Sequence, residues 1–158
     1  LARGNNNYIN STFKIDKKFL IIMAVSKTRK SGYDTGTASE FLVLSNLYRM
    51  GINAFISLGN KKSIDIIIKA KNGSSVSVDV KSVQGYSSIV VNNVKAAANH
   101  FIVVVVYKNK FADPTVLPDF YIIPSDRVLA LSEDYNGQRR LLKGKIVDYQ
   151  DKWEPLKA

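Results

Sequence analysis

The segment from Ile64 to Ser82, IDIIIKAKNGSSVSVDVKS, limits what this chain can fold into more than any other stretch. Two runs of alternating residues reverse at Asn72-Gly73, the pattern of a β-hairpin. Side chains along a strand alternate between faces with period 2. Val76, Val78 and Val80 therefore share one face of the second run, with Ser77, Asp79 and Lys81 on the other. Ile64, Ile66 and Ile68 form the matching apolar row of the first run, which places Asp65 on the face of Ile67, Lys69 and Lys71. When both apolar rows enter one core, Asp65, Asp79 and Lys81 come within reach of one another on the opposite face.

The turn decides the register. A two-residue turn at Asn72-Gly73 opposes Asp65 to Val80, on the wrong face, because directly opposed residues share a face. A three-residue loop, Asn72-Gly73-Ser74, opposes Asp65 to Lys81 and Ile67 to Asp79. The sequence predicts that loop, or a bulge of equal effect, with Gly73 or a neighbour at positive φ.

Two carboxylates on neighbouring strands, a third on an adjoining helix and a lysine two residues past one of them suit a hard cation with a water-activating neighbour. The chain has no cysteine and one histidine, so thiolate and histidine-rich metal sites are excluded, and oxygen ligands favour Mg²⁺ or Mn²⁺ over zinc. Such an ion would draw in a phosphate oxygen and acidify a bound water that the lysine orients or helps to deprotonate. The plainer alternative is an Asp65–Lys81 cross-strand pair on a solvated sheet face, worth under ~1 kcal/mol.

Elsewhere, Thr37-Ala38-Ser39-Glu40 has capping-box spacing at the start of a helix that Gly51 ends after Met50. Glu40 shares a face with Val43, Leu44 and Leu47, so it is either the cap or an inward carboxylate. A strand is expected over Ile52–Leu58. Asn92 or Asn93 caps a short helix through Asn99, with Val94, Ala97 and Ala98 inward. The unbroken Phe101–Tyr107 run predicts a strand buried on both faces, parallel to the second hairpin strand through a right-handed crossover. A strand at Phe120–Ile123 and a short helix from Pro124-Ser125-Asp126 to Leu131 follow. Trp153 reads as a packing residue that closes the domain.

With 158 residues, 46% of them hydrophobic, one globular domain is expected over residues 23–158. Residues 1–22 open with Leu and run through Asn5-Asn6-Asn7, whereas Met23 has the look of a natural start. They are read as upstream sequence or a poorly docked arm, and their net +3 leaves +7 of the chain's +10 behind. Phe19–Met23 after Lys17-Lys18 is too short for a signal peptide, and no apolar run reaches the ~18 residues needed to span a bilayer, so no membrane partner is expected. The absence of cysteine agrees with a reducing, cytoplasmic location. The positive charge points to a polyanion, nucleic acid first.

A helix bearing Glu40, a strand, a strand with Asp65, a strand with Asp79-Val80-Lys81, a helix and a strand resembles the PD-(D/E)XK nuclease superfamily. The resemblance covers about Thr37 to Tyr107, with Ile64 standing where the motif has proline. It implies an α/β, restriction-endonuclease-like αβββαβ core, a mixed central sheet flanked by helices. By the same resemblance Asp65, Asp79, Lys81 and Glu40 are catalytic, and Asp65, Asp79, Val80 and Glu40 hold Mg²⁺ or Mn²⁺. In size and charge the chain is similar to archaeal-type Holliday junction resolvases. The implied function is a metal-dependent DNA endonuclease acting on duplex or branched DNA, with a homodimer admitted. The alternative is a nucleic-acid-binding module of the same fold with little or no catalysis. DNA contacts are expected from Lys61, Lys62, Lys27, Arg29, Lys30 and Lys95, with Gln84 beside the site.

Overall fold

The computed structural model describes residues 32–57, 64–70, 73–85 and 88–157, all within one compact unit, Ser31–Ala158. The expected N-terminal arm and the candidates Lys27, Arg29, Lys30, Lys61 and Lys62 lie outside the described residues. Helix α1 runs from Gly32 to Arg49. It begins five residues before the expected capping box, so Thr37 is helix interior and Glu40 has no capping role. The first turn carries Asp34, which favours the positive end of the helix dipole, and the apolar stripe of Val43 and Leu47 is fully buried. The helix stops as expected. Gly51 is at φ +74°, its N–H reaches Tyr48 O at 2.9 Å, and Ile52 N–H reaches Leu47 O at 2.9 Å, a Schellman motif closed by the buried Leu47 and Ile52.

Strands β1 (Ala54–Ile56), β2 (Ile66–Lys69), β3 (Ser75–Val83), β5 (His100–Val106) and β6 (Asp119–Pro124) form a five-stranded sheet in the order β1-β2-β3-β5-β6. The pairings β1/β2, β2/β3 and β5/β6 are antiparallel, and β3/β5 is parallel. Alternation then sends one row of each strand to each face. Val76, Val78, Val80, Val103 and Val105 pack with Val43 and Leu47 of α1, while Ile102, Val104 and Val106 pack with Tyr121 and Ile123 on the other side. Strand β5 is buried on both faces, as its unbroken apolar run required. Phe120 and Trp153 meet with ring centroids 5.4 Å apart, which makes Trp153 a packing residue of the first core.

The β2/β3 register departs from expectation by two residues. Ile66 faces Val78, Ile67 faces Ser77 and Lys69 faces Ser75. Ala70 N–H bonds to Ser74 O at 3.0 Å, so the strands close at Ala70 and Ser74, not at Lys71 and Ser75 as the expected 72–74 loop required. The reason is glycine. In a three-residue hairpin loop the last position takes the left-handed conformation, and Gly73, at φ +85°, occupies it, where the expected loop would have put Ser74 there. Asp65 is consequently not opposed to Lys81: its N–H bonds to Val78 O at 2.9 Å.

The second correction concerns residues 92–99, which form no helix. Asn92 spends its side chain elsewhere: its Oδ1 accepts from Arg139 N–H at 2.6 Å and its Nδ2 donates to Gly137 O at 3.4 Å. Ala97 exchanges both main-chain bonds with Ser125 Oγ, at 3.0 and 3.1 Å, and Asn99 sits at φ +53°. Side-chain partners thus take the groups that a helix would have used. Ahead of this segment, β4 (Ile89–Val90) joins β8 (Gln138–Leu141) and β7 (Ser132–Tyr135) in a small antiparallel sheet, order β4-β8-β7. Helix α2 (Ser125–Leu131) leads into it directly. Among the described residues no helix is long and apolar enough to cross a membrane.

Candidate active site

Strand β3 is the middle strand of five, so a polar side chain there is taken from water and must be paired or cost free energy. Asp79 is 1% exposed. Lys81, two residues on and therefore on the same face, turns back so that its Nζ lies 2.6 Å from Asp79 Oδ1. The other oxygen, Oδ2, is buried without a hydrogen-bond partner. Leaving a carboxylate oxygen in that state costs on the order of a few kcal/mol, and it marks a place that a cation or a donor would fill.

Asp65 lies just before β2, its N–H still bonded to Val78 O of β3 at 2.9 Å. Its Oδ2 accepts the Val80 N–H at 2.6 Å, the donor that a continuing ladder would have directed to Ile64. Burial pushes its carboxyl up to about 6; the Val80 N–H opposes this, and the charges of Asp79 and Glu40 add to it, as does the hydrogen bond that a protonated Asp65 would give to Asp79. Glu40, half-buried on α1, is also raised, first by burial and then by Asp79, with Lys81 pulling the other way. Three carboxyl groups thus face one ammonium, and two of them resist ionisation.

The cross-strand Asp65–Lys81 pair on a solvated face is therefore not what forms: Lys81 pairs with Asp79, and Asp79 is buried. The donor set of Asp65 and Asp79, hard oxygens with one buried oxygen unserved, fits a divalent cation such as Mg²⁺. Among the described residues no group of three His, Cys, Asp or Glu side chains stands ready to hold an ion, so Glu40 is near in charge but does not complete such a group as placed.

Gln84 is anchored, its Nε2 donating to Thr35 Oγ1 on α1 at 2.8 Å. Lys95 is exposed and borders a cleft of about 770 Å³ that reaches Lys81. The bottom of that cleft holds a pair missed in the sequence, Ser77 Oγ and His100 Nδ1, 2.8 Å apart. The chain's single histidine at the start of a buried strand was the available signal.

A bacterial homing endonuclease, I-Ssp6803I, is similar to this structure with a TM-score of 0.52 at 19% identity, over 80% of this chain and 91% of that one. So is Hjc, a Holliday junction resolvase from the archaeal hyperthermophile Archaeoglobus fulgidus, with a TM-score of 0.53 at 13% identity, over 77% of this chain and 94% of that one. This chain has the restriction-endonuclease-like fold. No family model and no curated protein matches the sequence. Within the restriction-endonuclease-like fold, the hairpin, the parallel β3/β5 pair and the preceding helix stand as the resemblance implied. The crossover to β5 does not, since a strand of the small sheet and an irregular segment replace its helix.

Proposed function

We propose that the chain is a divalent-metal-dependent DNA endonuclease, hydrolysing phosphodiester bonds with Asp65, Asp79, Lys81 and Glu40 at its centre. The observation that carries this reading is the buried, unpartnered Oδ2 of Asp79 beside Asp65 and Lys81. Asp65 and Asp79, with the Val80 main chain between them and Glu40 close by, would hold Mg²⁺ or Mn²⁺, which when bound supplies Lewis acidity toward the phosphate and toward water. Asp79 Oδ1 keeps the Lys81 ammonium in place, and Lys81 Nζ is the group that can orient the attacking water and stabilise charge on the phosphate. The Val80 N–H fixes the Asp65 carboxyl, so its position costs nothing at the moment of reaction. That the neighbours are a homing endonuclease and a junction resolvase supports DNA, duplex or branched, as the substrate.

A second reading, a nucleic-acid-binding module with little catalysis, draws on the lack of a three-carboxylate group among the described residues. Nicking of supercoiled plasmid in Mg²⁺, Mn²⁺ and EDTA separates the two. Nicking in Mg²⁺ or Mn²⁺ that EDTA stops supports the enzyme, and binding without nicking in either metal supports the module.

A further inference from the structure

The cleft of about 770 Å³ beside Lys81 is more than access to the proposed centre. Its floor is Ser77 and Lys81 of β3 with His100 of β5, and its wall is the irregular segment that carries Asn93 and Lys95. Among the described residues its lining holds two ammonium groups and no carboxylate. Lys81 is balanced by Asp79 at 2.6 Å, so Lys95 supplies the net positive charge of this lining, the sign that an anion requires. Ser77 and His100 are paired in register on adjacent parallel strands, and Ser77 N–H bonds to Asn99 O at 2.9 Å, so the main chains beneath the Ser77–His100 contact are fixed side by side. In the tautomer in which Ser77 Oγ–H donates to Nδ1, the ring proton is on Nε2, which is then the nitrogen that can donate to a ligand. Lys95 makes no ion pair among the described residues.

Ser77 precedes Lys81 by four residues, about 13 Å along a strand that rises ~3.3 Å per residue. DNA advances about 3.4 Å of duplex axis per nucleotide on each strand, so His100 is out of reach of a phosphate reacting at Lys81 but level with one several nucleotides away. We propose that a DNA strand runs along this cleft from Lys81 toward the 92–99 segment, with a flanking backbone phosphate held by His100 Nε2 and Lys95 Nζ. Both are positioning residues. The proposal rests on the nucleic-acid reading of the fold but needs no cleavage.

His100 is the only histidine, so its ring resonances are unambiguous in the full chain. Titration with a short DNA duplex in Ca²⁺, followed by the imidazole signals, should shift them saturably, with the same midpoint as the affinity measured by anisotropy. Lys95→Glu should weaken that affinity about tenfold or more, and Lys95→Ala should make the log-log salt dependence shallower by about 1. His100→Ala should raise the Kd about 10- to 100-fold, as for one hydrogen bond to a charged group, and should raise KM with kcat unchanged in any cleavage assay. Should His100→Ala lower the melting temperature, exposed Lys95 still decides. DNA that binds while the ring signals stay unmoved and Lys95→Glu binds as wild type overturns the proposal, as does failure to bind any DNA at low salt. Binding that depends on these residues in a chain that does not cut retains the cleft assignment and removes only the catalytic one.

Discussion

Asp79 is held out of water with one oxygen on Lys81 and the other without a donor while Asp65 is ionised, and its neighbours Asp65 and Glu40 are pushed toward their neutral forms. The pH dependence follows. Asp65 titrates at about 6 in the folded chain against 3.8 as its ordinary value, so between those pH values the folded state binds more protons than the unfolded one. Its contribution to stability is therefore greatest below pH ~4 and is lost as pH rises through ~6. In EDTA, the urea midpoint of the wild type relative to Asp65→Asn should fall across that window, and saturating Mg²⁺ at pH 7.5 should recover it. A relative midpoint that rises with pH would contradict this. Glu40→Gln tests the helix carboxylate, which α1 now frees from capping. Cleavage should fall about 10- to 100-fold with the melting temperature unchanged or higher, whereas full activity would remove Glu40 from the site.

Among the elements, what could be read early was what glycine and alternation dictate locally. The stop of α1 at Gly51 followed from the sequence, and Gly51→Ala should cost about 1 kcal/mol in denaturant unfolding. At φ +74° the new Cβ meets no neighbour within 4 Å, so the cost is backbone strain alone. Thr37–Glu40 showed the spacing of a cap, but Ser39 back-bonds to Thr35 O at 2.6 Å, its Oγ lies 3.1 Å from Tyr107 Oη, and the helix runs on toward Gly32. Only tertiary structure supplies Tyr107. The same holds for the absent helix at 92–99, whose Asn92 and Ala97 are claimed by Arg139, Gly137 and Ser125, distant in sequence. By contrast, Asn136-Gly137 was a signal left unused. Both residues have positive φ, 52° and 82°, and make the two-residue turn between β7 and β8.

At the scale of the whole molecule, the sheet, its parallel β3/β5 pair and the gathering of Asp65, Asp79 and Lys81 were legible because period-2 patterning survives any register error of two residues. The register itself was not, since it turned on which loop position Gly73 takes. The charge of +10 also acts at this scale. In Ca²⁺, which coordinates phosphate but is a weaker acid toward water, DNA affinity should fall with salt at a log-log slope of about −4 to −5 if four to six phosphates are neutralised. Replacing Lys61 and Lys62 by Ala should make it shallower by up to ~2. A slope near zero would leave the charge without a polyanionic partner.

The most direct measurement compares wild type and Asp79→Ala on the same DNA, reading cleavage in Mg²⁺ alongside melting temperature in EDTA. The account predicts metal-dependent cleavage by the wild type and none above background by the variant, which should melt no lower than the wild type because a buried, half-served carboxylate has gone. Equal cleavage by a well-folded Asp79→Ala would contradict it.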